Sequence, residues 1–505
     1  MSRVTAKILM PAGFLASLGV FYLFSYNSGY GYDALAYFNN GRAVADGYPL
    51  YSFIVSKSWL FYYFTAFLFN MGVTGRGGMA AAVTALYAVQ VLGVFWLVAK
   101  HYHLRAAFIS AALVSVSAYF MEMNFYEPES FVVITGLVAC GLILKNLKDR
   151  SAAGLFPGGL WIGVGFCFKA VAAFYLAGAA VFMFVWNRAR RILSNRQIIR
   201  AEIIFISGFL VPLCLGAAYF TFTGRIRQHI GWNYYFPFFG YAPGVFWMYK
   251  LYSKLMWFWL LIAAVFCASF RKNIKEIYGV PLTGLSLAMG MFSLAALAKN
   301  QASHYVFPGA VFLSVYAGLV LDKVIGSLRN RKAAVICGSL FALMCMACLA
   351  SACLYNPGVF KRFLTVKKYP RDREIKAVIQ RLVPEGKNAL FFRDNTYLYW
   401  VSERYPNVPY LYHHVQVSYY IQNNPDVLTV ALADPDLALV EYNPAAPGIM
   451  DEAFLEKASN REIMAEFGRV LERDFRKIDT GVSPYIFWVR KDAVDGADKA
   501  GRAQP

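Results

Sequence analysis

The sequence predicts an α-helical polytopic membrane protein with about eleven transmembrane helices and a C-terminal α/β domain. Two observations carry this. Of the 505 residues, 58% are hydrophobic and only 15% are charged, outside the ordinary soluble range. Apolar runs of bilayer-crossing length recur as far as residue 354 and then stop. The remainder of the chain is polar and about one domain long.

The predicted spans are residues 9–24, 79–99, 106–121, 131–144, 156–168, 170–186, 203–222, 256–270, 280–298, 305–321 and 333–354. The stretch 156–186 is too long for one straight helix and short for two, which fits a hairpin of short helices. With the N-terminus inside, inner segments hold nineteen Lys and Arg and outer segments hold eight besides Lys169 at the tip of the hairpin, although the outer loops are longer. This asymmetry predicts a cytoplasmic N-terminus, and it requires 156–186 to cross twice because both flanks are basic. Loop 27–78, loop 223–254 and, by the odd number of spans, the C-terminal domain then lie outside.

The chain divides into three units: a transmembrane region at 1–355 with the long outer loop 27–78, an extracytoplasmic α/β domain at 356–491, and a polar tail at 492–505 that reads as disordered. In the second unit, Ile375, Val378, Ile379 and Leu382 recur at helical spacing over 370–382. Residues 389–392, 437–440 and 485–489 are short apolar runs that read as strands. A charged helix is expected over 453–471.

The net charge is +20. Much of it sits in short loops between spans, where it orients the chain and meets anionic headgroups, so nucleic acid is not an expected partner. All eight cysteines lie in or beside apolar segments with no metal-binding spacing, and read as packing residues. Arg3 and Lys7 precede the first span, but no small-residue cleavage pattern comes after it, so that span reads as retained.

Ionisable groups crowd the outer face. The acids are Asp33, Asp46, Glu122, Glu127 and Glu129; the bases include Lys57, Lys169, Arg225, Arg227, His229 and His304. A carboxylate there could take a proton from an acceptor hydroxyl, and a Lys or Arg could hold a phosphate at headgroup level. Each has a structural alternative. Asp33 could cap the helix after it, and Asp46 before Gly47 reads as a turn residue. Pro128 and Glu129 suit a helix start. Glu127 and Glu129 are two apart, so at most one is expected to face a common site. Lys57 could be an interfacial lysine. Lys169 is flanked by apolar residues on both sides, which makes a purely interfacial role harder to assign. His304-Tyr305 could be an interfacial pair.

In order and sidedness these residues resemble the GT-C superfamily of membrane glycosyltransferases, in the bacterial branch related to protein O-mannosyltransferases and the lipid A aminoarabinose transferase. The first outer loop carries Asp33, Tyr37, Gly47, Tyr51 and Lys57. A second acid comes after the third span at Glu127 or Glu129, a later hairpin carries Phe168-Lys169, and His304-Tyr305-Val306-Phe307-Pro308 opens a late span. Asp33 is followed by Ala34 where the family often has an acidic pair, and Ser58 stands where a Pro is common.

The resemblance implies transfer of a sugar from a polyprenyl-phosphate donor to a glycan, lipid or protein acceptor on the outer, periplasmic side of the inner membrane. It implies Asp33 as catalytic base, with Glu127 or Glu129 as second acid. Lys57 and Lys169 would contact the donor phosphate, alongside Arg225 and Arg227 on the same face, and Tyr37, His304 and Tyr305 would contact substrate. No cofactor is demanded and no metal is indicated, since a lysine can balance a phosphate. The alternative is a polytopic transporter or flippase for a lipid-linked or polar solute; such folds often show repeat symmetry and charged residues near the midplane, but no internal repeat is visible here and the ionisable residues crowd one face.

Overall fold

In the computed structural model, the described residues are 3–27, 32–51, 58–121, 123–149, 154–235, 262, 265, 272–295, 303–327, 370–392, 395–406, 421, 424–443, 458–478, 480 and 485–491. The expected spans at 256–270 and 333–354, Lys57, Glu122 and the tail 492–505 fall outside them or nearly so.

The membrane region is helical: α1 (Arg3–Asn27), α2 (Tyr32–Ala45), α3 (Trp59–Asn70), α4 (Gly75–His101), α5 (Leu104–Phe120), α6 (Glu129–Asp149), α7 (Leu155–Phe168), α8 (Ala173–Ala189), α9 (Asn195–Phe222), α10 (Ile226–Ile230), α11 (Pro281–Ser293) and α12 (Phe307–Ser327). Among the described residues, five segments are long and apolar enough to cross a bilayer: Gly75–His101, Glu129–Asp149, Ala170–Ala189, Asn195–Phe222 and His304–Ser327. The shorter apolar stretches Phe14–Asn27, Leu104–Tyr119 and Leu155–Phe168 accompany them. The chain is therefore a multi-pass membrane protein. Loop 27–78 is not plain loop, for it contains α2 and α3. Helix α3 has twelve residues with no charge, too short for the span-length criterion that found the others.

The helices differ in what surrounds them. In α12, 89% of the most apolar window is buried in protein, against 33% in α9. On α9 the exposed side chains Ile199, Ile203, Ile206 and Leu210 recur at helical spacing, the stripe expected of a lipid-facing surface. Its opposite face meets α7 backbone to backbone. A Cβ at Gly159 would collide with the Phe205 carbonyl, at Gly163 with that of Phe209, and at Gly208 with that of Phe156. Small residues allow such close approach where lipid offers no hydrophobic drive for association.

The C-terminal segment folds as α13 (Pro370–Leu382), β1 (Asn388–Phe391), α14 (Asn395–Ser402), α15 (Val427–Ala433), β2 (Leu437–Glu441), α16 (Ala458–Asp474), β3 (Phe475–Ile478) and β4 (Phe487–Arg490). The sheet order is β1-β2-β4-β3; β1 and β2 are parallel, and the other two pairings are antiparallel. Alternation along the strands gives the sheet two apolar faces. Leu390, Phe392 and Val440 pack with Phe467 and Leu471 of α16. Ala389, Phe391, Leu439 and Phe487 belong to the cluster that continues through α14 into the membrane region. Strand β3 gives no clear sequence signal because its pattern is short and half exposed: Phe475 is buried, whereas Arg476 and Lys477 are not.

Candidate active site

Helix α2 begins one residue before Asp33, so this carboxylate lies in the first helical turn, where the positive end of the helix dipole favours it. Tyr37 comes one turn later and shares its face. The helix is fixed from below by aromatic contacts: the Tyr37 and Phe61 rings are 5.0 Å apart edge-to-face, and Phe38 lies 4.8 Å from Tyr126. Tyr126 stacks on Phe61 at 5.0 Å, and its hydroxyl lies 3.2 Å from the Thr65 hydroxyl. These contacts hold the residue before Glu127 between α2 and α3.

Glu127 lies in the connection ahead of α6, and Glu129 is the first residue of that helix. This overturns the expectation that only one of them faces the site. The two-residue spacing separates faces on a helix, but Glu127 precedes the helix and turns inward on non-helical backbone. Both side chains are buried, Glu127 at 4% exposure and Glu129 at 0%.

Lys169 is presented by a break in the chain. Helix α7 ends at Phe168, Lys169 takes an extended conformation (φ −161°, ψ 135°), and a 3-10 turn at Ala170–Ala172 leads into α8. Phe131 and Phe168 stack nearly parallel at 4.5 Å, which brings the start of α6 against the end of α7. Lys169 Nζ donates to Glu129 Oε1 and lies 3.6 Å from the centre of the Tyr305 ring. A 3-10 turn, Ser303–Val306, supplies His304 and Tyr305 at the head of α12. The Tyr175 hydroxyl of α8 donates to the Pro308 carbonyl at 2.8 Å and fixes that head.

Separated pieces of chain therefore converge. Donor atoms of Asp33, Glu127 and His304 all lie within 4.8 Å of one another. His304 Nε2 is 3.8 Å from Glu129 Oε1. Tyr37 is buried beside Asp33, Glu127 and Glu129, and burial first, then these carboxylates, push its hydroxyl well above the ordinary tyrosine range. It stays protonated and can serve only as a neutral hydrogen-bonding group at physiological pH. Three carboxylates thus share one site with a lysine and a histidine. Such surplus negative charge in a buried place favours a proton, a protonated imidazole or a bound cation.

The donor set of two carboxylate oxygens and one imidazole nitrogen fits a divalent ion such as Mn²⁺ or Zn²⁺. The sequence gives no hint of this. The spacing of Asp33, Glu127 and His304 along the chain carries no metal signal, and the grouping exists only in three dimensions.

The other candidate residues lie elsewhere. Arg225 precedes α10 and is half-buried; Arg227 is exposed on it. The Arg225 charge reaches Tyr63, whose hydroxyl is 2.7 Å from that of Tyr219. Close by, His229 and Asn233 hold Tyr51 of the first outer loop: the Tyr51 hydroxyl is 2.9 Å from His229 Nδ1, and Asn233 Nδ2 donates to the Tyr51 hydroxyl at 2.5 Å. Tyr51 has a left-handed backbone (φ 72°) that a non-glycine residue adopts only when held. Burial lowers the His229 pKa to about 4, so the ring is neutral. Lys57 lies six residues beyond Tyr51, outside the described residues.

Known proteins share parts of this chain and most of its fold. Residues 56–213 match the family described as dolichyl-phosphate-mannose-protein mannosyltransferase. No curated protein matches the chain in sequence. Among solved structures, ArnT from Cupriavidus metallidurans bound to undecaprenyl phosphate is 12% identical with a TM-score of 0.59, covering 96% of this chain and 98% of its own. The Archaeoglobus fulgidus oligosaccharyltransferase in its apo form is 12% identical with a TM-score of 0.55, covering 85% and 69%. The archaeal oligosaccharyltransferase AglB from Archaeoglobus fulgidus, in complex with an inhibitory peptide and a dolichol-phosphate, is 12% identical with a TM-score of 0.51, covering 96% of this chain and 75% of its own. In fold over nearly its whole length, and in sequence over residues 56–213, this chain resembles the GT-C superfamily of membrane glycosyltransferases.

Proposed function

We propose that this protein is an integral-membrane glycosyltransferase that moves a sugar from a polyprenyl-phosphate donor to a hydroxyl-bearing acceptor on the outer side of the membrane. The observation that carries this reading is the convergence of Asp33, Glu127 and His304 at the start of α2. The matches support it: ArnT is bound to undecaprenyl phosphate and AglB to a dolichol-phosphate.

In this reading Asp33 takes the proton of the acceptor hydroxyl as that oxygen attacks the sugar carbon, and the phosphate leaves with the bonding pair. Glu127 and His304 keep Asp33 oriented. Tyr37 donates a neutral hydrogen bond to the carboxylate cluster or to the acceptor. Lys169 is already committed to Glu129 and the Tyr305 ring, so its task is to hold that acid in place. The leaving phosphate then falls to Arg225, Arg227 and Lys57, which the charge-based topology assigns to the same outer side.

A second reading of the same carboxylates rests on their grouping with His304. A divalent ion held by Asp33, Glu127 and His304 would supply Lewis-acid stabilisation of phosphate charge. The two readings separate by chelation. Loss of transfer on EDTA treatment and its return with Mn²⁺ would establish the ion; full activity after chelation leaves Asp33 as base. The function itself is tested by incubating purified protein in detergent with polyprenyl-phosphate sugars and cell-envelope acceptors. Absence of any released polyprenyl phosphate across a panel of donors would sink it.

A further inference from the structure

The turn between α8 and α9 lies at the opposite end of α8 from Lys169, seventeen helical residues or about 25 Å away. It carries five arginines between positions 188 and 200, with no lysine and no acid. The turn between α6 and α7 differs: Lys145, Lys148 and Arg150 accompany Asp149 there. Orientation in the membrane needs only positive charge, which either turn supplies. The arginine turn has three features that orientation does not require.

The first is its backbone. Helix α8 closes in a Schellman arrangement: the Ile192 N–H donates to the Asn187 carbonyl at 3.1 Å, and the Arg191 N–H to that of Arg188 at 3.3 Å. Arg191 takes φ 53° in this turn, a position that glycine fills without strain. The second is the placement of Arg196 and Arg200. They stand one turn apart on one face, so like charges adjoin near the positive end of the α9 dipole. The third is the lack of counter-charge. Arg190 is engaged by the Trp186 ring at 4.5 Å and the Gly279 carbonyl at 3.4 Å. Arg188, Arg191, Arg196 and Arg200 are exposed, with no carboxylate in ion-pairing distance among the described residues. Beyond Glu122, no Asp or Glu occurs in the membrane region outside the described residues. Glu202, the one acid of α9, comes six residues after Arg196 and lies on another face of the helix.

The arginines also head two apolar stripes. On α9, Arg196 and Arg200 share a face with the exposed Ile199, Ile203, Ile206 and Leu210. On α8, the exposed Val181, Phe184 and Val185 lead along one face to Arg188. Arg188 Nη1 donates to Asn195 Oδ1 at 3.4 Å, beside Arg196, which brings the heads of the two stripes together. Each stripe thus passes from hydrocarbon to guanidinium, the order in which a phospholipid passes from acyl chain to phosphate. The guanidinium fork matches phosphate oxygens in shape and charge. A zwitterionic headgroup brings its own ammonium and would leave the surplus of positive charge in place; a headgroup with net negative charge offsets it.

We propose that the α8–α9 turn is a binding site for an anionic phospholipid, its phosphate on Arg196 and Arg200 with Arg188 and Arg191 at the border, and its acyl chains along the stripes of α8 and α9. The test is native mass spectrometry of the full-length protein released from detergent micelles with equal amounts of phosphatidylglycerol and phosphatidylcholine. Phosphatidylglycerol is expected to be retained in preference. Arg196→Gln/Arg200→Gln should lower its retention at least about tenfold, the loss of a charge-assisted contact. Removing a like-charge pair from the start of α9 should leave the thermal midpoint in lipid-free detergent no lower than that of the wild type. Lys145→Gln/Lys148→Gln removes the same charge from two exposed positions of the neighbouring turn and should retain the lipid as the wild type does. Equal loss in the two variants would reduce the effect to diffuse surface charge and overturn the site. Equal retention of both lipids by the wild type, or undiminished retention by the arginine variant, would also overturn it. None of these residues belongs to the candidate active site, so the outcome is independent of transfer activity.

Discussion

The two ends of α2 differ in almost every electrostatic respect. At its start Asp33 joins two further carboxylates, a lysine, a histidine and Tyr37 in a largely buried place. At its end Arg42 sits half-buried among carbonyls and rings, in a cleft open to water. Charge is concentrated where the surroundings make it expensive, and spread where water screens it. A buried cluster of like charges has to be held by its neighbours, and here the neighbours are pieces of chain far apart in sequence. That is the arrangement expected of groups that do chemistry, because preorganisation is what makes their charge effective. The far end is suited to docking the C-terminal domain, through carbonyl contacts rather than paired charge.

This contrast is open to attack at several points. The largest effect is expected at the acid end. Asp33→Asn should lower transfer about a hundred- to ten-thousand-fold with the thermal midpoint unchanged, the usual contribution of a general base. Near-normal turnover in this variant would reduce Asp33 to a helix-dipole residue. Next, Lys169→Met leaves Glu129 buried without its cation and should cost about 3–5 kcal/mol, seen as a lowered thermal midpoint. The double variant Lys169→Met/Glu129→Leu should recover most of that loss. If it does not, the pair matters through His304 or Tyr305 rather than through its own charge.

The far end can be loosened without touching the candidate site. Asn39 Nδ2 donates to the Thr396 carbonyl at 2.7 Å, a buried tie from α2 to α14. Asn39→Ala should cost about 1–3 kcal/mol, since it leaves that carbonyl unsatisfied. If α2 transmits the docking of the C-terminal domain, kcat should fall while the donor KM is kept. The smallest effect concerns His229. Its pKa is lowered to about 4 by burial, below that of an exposed histidine near 6.5. The unfolded chain therefore binds a proton first, and stability is lost as pH falls from about 6.5 towards 4. His229→Gln should flatten the thermal midpoint over that window, and an unchanged pH slope would mean that other groups govern it.

Much of the fold was legible in the chain. Hydrophobic run length placed α1, α4, α5, α6, α7, α8, α9, α11 and α12 close to their observed positions, because a bilayer demands long apolar helices whatever their packing. The break at Lys169 was legible for the same reason, since a charge between two apolar stretches cannot stay in mid-helix in lipid. Helix α13 keeps its period of 3.6 from Pro370 to Leu382. Helix α3 was not legible, being apolar but shorter than a span, and β3 was too short and too charged to stand out.

The candidate site divides along the same line. The sequence by itself determined which residue types flank the apolar runs: Asp33, Glu127, Glu129, Lys169, His304 and Tyr305 are ionisable or aromatic residues at the edges of such runs, where a charge costs less than within them. Only the tertiary structure decided their partners. The inward turn of Glu127 ahead of α6, the pairing of Lys169 with Glu129, and the grouping of Asp33 with His304 all depend on contacts between helices. The clasp of Asp46 on Tyr405 of the C-terminal domain joins positions 359 residues apart. Local sequence specifies hydrophobicity and helical phase, which act over a few residues; charge pairing acts through space, and becomes defined only when packing has fixed the distances.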